Sequence, residues 1–75
     1  MTIKEFIKRE RKQNSGLADK LERRLHNIDH WFYNKQIEAA YEIRGILFGL
    51  LYGNYIAADE FESLMDDWAE ITKDI

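Results

Sequence analysis

Apolar residues return every three or four positions along almost the whole chain, and no segment alternates convincingly with polar residues at period two. That spacing is the signature of helix stripes, so the pattern predicts helices and no strand. Ile3, Phe6 and Ile7 form the first stripe. Ahead of them, Thr2-Ile3-Lys4-Glu5 matches a capping box, in which the threonine hydroxyl accepts the amide three residues on and the glutamate reaches back. Asn14-Ser15-Gly16 supplies both a helix end and a new N-cap. Leu17, Leu21, Leu25, Ile28 and Phe32 then mark a second helix. The run Trp31-Phe32-Tyr33 is aromatic on every side and selects no face, and the next break is placed near Asn34.

A third helix follows from Ile37, Ala40, Ile43, Ile46, Leu47, Leu50 and Leu51. Its last turns, GILFGLLYG, are apolar all round, which predicts burial on more than one face. Gly53 reads as the residue just past the helix end, and Asn54 as one that tolerates irregular backbone. With Ala57 as the next N-cap, Ile56 and Phe61 take the positions of a hydrophobic staple and Glu60 falls at the third helical position. Phe61, Leu64, Met65, Trp68, Ile71 and Ile75 share one face of this fourth helix. The expected fold is all-α: a compact bundle of three to four helices with a C-terminal antiparallel helical hairpin, one domain over residues 1–75 without repeat or linker.

Composition adds a constraint on stability. Ile, Leu, Phe and Trp make up 22 of the 75 residues, yet chains of about this size bury only roughly 60% of their unfolded surface. Burial and chain ordering then nearly cancel. The chain has no cysteine, which removes disulfides and the commonest structural zinc sites. Self-association is the reinforcement left, and a homo-oligomer is expected. The charged first turns do not read as a signal peptide. The longest uncharged run, Gly45 to Ala58, is 14 residues broken by Asn54, short of the roughly 20 that span a membrane. A cytoplasmic protein with no membrane partner is expected.

Three glycines stand out because each costs about 1 kcal/mol in a helix interior. Gly45, Gly49 and Gly53 are spaced by four along one side of the third helix. Stripped of side chains, that side lets another helix approach closely. The approaching helix belongs either to the same molecule or to a second copy, which would make the stripe a self-association seam.

The formal net charge of −3 conceals a segregated chain: residues 1–24 carry +4, residues 25–54 carry −1 and residues 55–75 carry −6. Lys4, Lys8, Arg11 and Lys12 form a basic face that could contact phosphates. Glu5 and Glu10, interleaved among them, favour an ordinary solvated surface. Asp59, Glu62, Asp66 and Glu70 form an acidic stripe whose one-turn spacing of about 5.4 Å is not far from that between phosphates on a strand. The stripe is either a solvated helix face or the working surface of an acidic inhibitor of the kind small mobile-element genes could encode. Ala18 and Ile28 fit the pattern of helix-turn-helix repressors, but Glu22 stands at the glycine position and no turn residue interrupts Leu17 to Leu25.

Glu22, His26 and His30 share a face at a spacing that can place zinc ligands. They lack a fourth ligand and read as rim residues, so no metal or cofactor is expected. No cysteine nucleophile, phosphate-binding glycine loop or nucleophile elbow occurs, and so small a bundle has difficulty enclosing a pocket of about 300 Å³. No enzyme is expected. Trp31, Tyr33, Tyr41, Tyr52 and Tyr55 outnumber what the core can hide, and exposed aromatics favour interfaces. The reading is a non-enzymatic protein-protein interaction module that associates with itself and with a protein partner. The alternatives are a nucleic-acid-associated regulator using the basic first helix, and an acidic helical inhibitor that occupies a partner's nucleic-acid-binding groove.

Overall fold

Short-range chemistry sets most of the helix ends. A computed structural model describes residues 1–30 and 32–75, and among these four α-helices form: α1 (Ile3–Gln13), α2 (Ser15–His30), α3 (Tyr33–Tyr52) and α4 (Ala58–Thr72). The capping box at α1 is complete. Glu5 N–H donates to Thr2 Oγ1 at 3.1 Å and Thr2 N–H donates to the Glu5 carboxylate at 2.9 Å. The bond from the Thr2 amide holds the Glu5 carboxyl below its ordinary range. Asn14 then serves two helices. Its N–H closes α1 on Glu10 O, while its side-chain oxygen accepts Leu17 N–H at 3.2 Å in the first turn of α2.

The break between α2 and α3 comes earlier than Asn34. α2 ends at His30, Phe32 is the N-cap of α3 in extended backbone without a side-chain cap bond, and Asn34 lies inside the first turn. Part of the cause is a tertiary bond: Gln36 Nε2 donates to Ile28 O at 2.7 Å, satisfying a carbonyl of the last turn of α2. Phe32 is 83% exposed and does not continue the α2 stripe. Trp31 lies outside the described residues.

The α3–α4 turn is a Schellman motif. Tyr55 N–H donates to Leu50 O at 2.9 Å and Asn54 N–H donates to Leu51 O at 3.0 Å. Asn54, rather than Gly53, takes the left-handed backbone, with φ 59°. Gly53 is the C-cap at φ −82°. Ala57 is the N-cap of α4 as the staple spacing implied, and Ile56 is buried beside it.

α1 packs on α2, α2 on α3 and α3 on α4, and α4 meets α1, closing a circuit of adjacent helices 32 × 22 × 18 Å in extent. α1 contributes Ile3, Phe6 and Ile7 to the core, and α2 contributes Ala18, Leu21, Leu25 and Ile28. From α3 come Ala39, Ala40, Ile43 and Leu47, whereas α4 buries only Leu64 completely. The last turns of α3 depart from expectation. Leu47 is enclosed and Ile46, Leu50 and Leu51 are half-buried, but Gly45, Gly49 and Tyr52 face solvent. Neighbouring helices cover only part of the circumference of α3. Among the described residues, no helix is long and apolar enough to cross a membrane.

Candidate functional site

The uncovered side of α3 carries Tyr41, Gly45, Phe48, Gly49 and Tyr52, at intervals of four, three, one and three, all exposed except the half-buried Phe48. α4 borders this side with Phe61 and Trp68, both half-buried against the core. The rings are in mutual contact. Phe48 meets Phe61 edge-on at a centroid distance of 4.9 Å and Tyr52 at 5.9 Å, and Tyr41 lies 6.3 Å from Trp68. Such pairs contribute about 0.5–1.5 kcal/mol beyond the area they bury. Trp68 Nε1 donates to Ala40 O at 2.7 Å, so the indole is fixed in orientation with its polar atom satisfied. The Arg44 guanidinium sits 4.9 Å above the Phe48 ring.

The glycines between these rings face nothing. Among the described residues, a Cβ added at Gly45 or Gly49 would meet no atom within 4 Å beyond the backbone of its own helix turn, so close packing against a described neighbour does not explain either residue. Gly53 differs, because a Cβ there would lie 3.2 Å from Gly49 O. It belongs to the turn and not to the open stripe. At the Tyr41–Trp68 end, a recess of about 270 Å³ is lined by Tyr33, Ile37, Ala40, Thr72 and Ile75 together with those two rings. Tyr55, expected with the exposed aromatics, is 43% exposed but donates its hydroxyl to the fully buried carboxylate of Glu10.

That carboxylate anchors a polar network. The basic stretch around Glu10 predicts a solvated charge, yet its side chain has no exposure. Arg9 Nε donates to it at 3.2 Å and Gln13 Nε2 at 2.6 Å. The Arg9 fork also grips Glu60 through two bonds of 3.0 and 2.7 Å. These bonds hold the Glu60 carboxyl below its usual range and raise the Arg9 guanidinium above its own. The signal was available: Glu10 extends the Ile3, Phe6, Ile7 stripe by one more interval of three. Glu60 therefore turns to α1 instead of closing a capping box. The seam continues with Asp67, which accepts Ile3 N–H at 2.8 Å, and Ser63, whose hydroxyl accepts the Met1 amino group at 2.6 Å.

On the other side of α1, the predicted basic face becomes one wall of a groove of about 560 Å³ between α1 and α2. Lys4, Lys8, Arg11 and Lys12 line it from α1, and Glu22, His26, Asp29 and His30 line it from α2, over a floor of Ile7 and Leu25. A volume above 300 Å³ was not expected of so small a bundle, and it exists because the groove is an open cleft rather than an enclosed pocket. Arg11 is committed to α2, at 2.5 Å from Asp19 and 2.7 Å from Glu22, and the Asp19 bond leads in raising its proton affinity. The His26 and His30 ring centroids are 4.4 Å apart. Among the described residues, no three His, Cys, Asp or Glu side chains converge to hold a metal ion.

The acidic stripe of Asp59, Glu62, Asp66 and Glu70 is exposed throughout. Glu70 pairs with Lys73 at 2.7 Å, while Asp59 caps the amide of Glu60. Three surfaces thus lie on one small body: an aromatic face with open glycines, a basic groove and an acidic edge. Compared with protein-family models, curated proteins and solved structures, the chain matches none of them.

Proposed function

We propose that the protein is a non-enzymatic protein-protein interaction module whose working surface is the outer face of an antiparallel α3–α4 hairpin, and that a second copy of the chain is one of its partners. The observation that carries this reading is the open space at Gly45 and Gly49 between two groups of exposed rings. Glycine in a helix interior costs about 1 kcal/mol relative to alanine, and among the described residues no close packing at Gly45 or Gly49 offsets that cost. Close approach of another helix does, because the missing side chains bring backbones together while the flanking rings supply contact area. A domain of this size also has little core to spare, and association adds the burial it lacks.

Gly49→Ala separates the two explanations of the glycines. In the isolated molecule the substitution fits and adds helix propensity. At a seam between copies, the added methyl groups hold the helices apart. Light scattering across a concentration series is expected to show the wild-type mass rising above that of one chain and the Gly49→Ala mass staying at one chain. Identical masses for the two proteins at every concentration overturn the seam. The acidic edge offers a second surface for basic partners, and binding there is expected to weaken steeply with salt.

A further inference from the structure

We propose that the α1/α2 groove is a binding site for single-stranded nucleic acid, with Lys4, Lys8 and Lys12 following the phosphates and the His26–His30 pair receiving the bases. The site is on a different face from the α3–α4 surface and does not depend on it. Single strands are held without strong sequence preference where a positively charged groove runs beside aromatic rings on which bases stack. Both parts are present on facing walls. The three lysines stand at four-residue intervals on α1, a rise of about 6 Å each. None of them enters an ion pair among the described residues.

The carboxylates nearby do not cancel this row. Glu22 is engaged by Arg11 at 2.7 Å, and Asp29 belongs to the opposite wall, on α2 rather than beside the lysines of α1. The imidazoles of His26 and His30 lie 4.4 Å apart and tilted by 38° on two exposed residues, and they line the groove together with Ile7 and Leu25. An acidic protein helix would use the lysines but would gain little from two adjacent rings. A base-paired duplex keeps most of its ring faces stacked within itself, whereas an unpaired strand splays bases out onto side-chain rings. An unpaired strand therefore uses both walls at once.

The test is a fluorescence-anisotropy titration of a labelled single-stranded oligonucleotide with the full chain, alongside the same sequence as a duplex. Three neutralised phosphates on a single strand give a salt slope of roughly −2.1, so a rise from about 50 to about 200 mM salt is expected to weaken binding about 18-fold. Lys8→Gln is expected to reduce that slope by about 0.7. His26→Ala with His30→Ala is expected to weaken binding by about fivefold or more while leaving the slope unchanged, since stacking is not a counterion effect. All substituted residues are exposed, and unchanged thermal melts confirm that each variant is folded. No binding at about 50 mM salt, equal affinity for duplex, or full binding by the double histidine variant overturns the proposal. So does a Lys8→Gln variant that changes only the oligomeric mass, which assigns the groove to an acidic helix of a second copy.

Discussion

The two flanks of α4 handle their polar and apolar groups in opposite ways. On the α1 side, nearly every group is answered within the molecule: Arg9 by Glu60 and Glu10, Glu10 by Tyr55 and Gln13, Asp67 by the Ile3 amide, Ser63 by Met1. On the outer α3 side, rings stand exposed and two glycines face empty space. The first flank is a closed structural seam in which a substitution leaves a partner unsatisfied. The second keeps its rings in contact with one another but leaves Gly45 and Gly49 without a neighbour among the described residues, and the contact proposed for those open positions is with a second copy. Stability and association should therefore respond to different residues.

The largest expected effect falls on the closed seam. Arg9→Met strips the cation from a carboxylate that is wholly buried, and removing one partner of a buried pair costs about 3–5 kcal/mol. Arg9 itself keeps 39% of its side-chain exposure, which places the expected loss at the lower end, about 3 kcal/mol. Urea unfolding measures it, and a loss below about 1 kcal/mol would mean that Tyr55 and Gln13 suffice for Glu10.

At the turn joining the flanks, Asn54→Val forces a β-branched residue into left-handed backbone and is expected to cost about 1–2 kcal/mol. Asn54→Gly, which keeps the geometry without that strain, is expected to be neutral or slightly stabilising. If both variants unfold at the same denaturant concentration, the φ of 59° at this position carries no energetic weight.

The open flank predicts the opposite sign. Gly45→Ala meets no atom and is expected to stabilise the single chain by up to about 1 kcal/mol, measured as a raised midpoint at low protein concentration. A destabilised monomer would erase the contrast between the two flanks.

The smallest effect is a pH dependence. Arg9 lowers the folded-state carboxyl of Glu60 below its ordinary 4.5. The stability this pairing contributes is therefore complete above the ordinary value and is lost as pH falls through the lower folded one. The gap between the acid-unfolding curves of the wild type and Arg9→Met is expected to narrow by the small share that Glu60 contributes as pH falls through that lower range, and a gap of constant size would separate Glu60 from the seam's stability.

Local signals were readable in the sequence, while features made by distant neighbours were not. Thr2 and Glu5 define a helix start within four residues, and Ile56 with Phe61 places Ala57 at another. The end of α2 could not be read the same way, because Trp31-Phe32-Tyr33 offers no turn residue and the bond that helps end the helix comes from Gln36. The burial of Glu10 is hidden for the same reason: a charged residue in a basic stretch looks solvated until Tyr55, 45 residues away, reaches it. Gly45 and Gly49 were recognised as a stripe, but only the surrounding atoms show that it faces outward. The lysine row was visible, but the groove beside it needed α2 in place.

Because α4 has only one completely buried side chain, it is the helix whose amides should exchange fastest with deuterated solvent, through openings that leave the other three helices folded. That makes deuterium uptake along α4 a reporter of occupancy. A partner seated on the aromatic face slows exchange in α4, whereas a strand lying between α1 and α2 leaves it unchanged, and one labelling experiment distinguishes which surface of the molecule is in use.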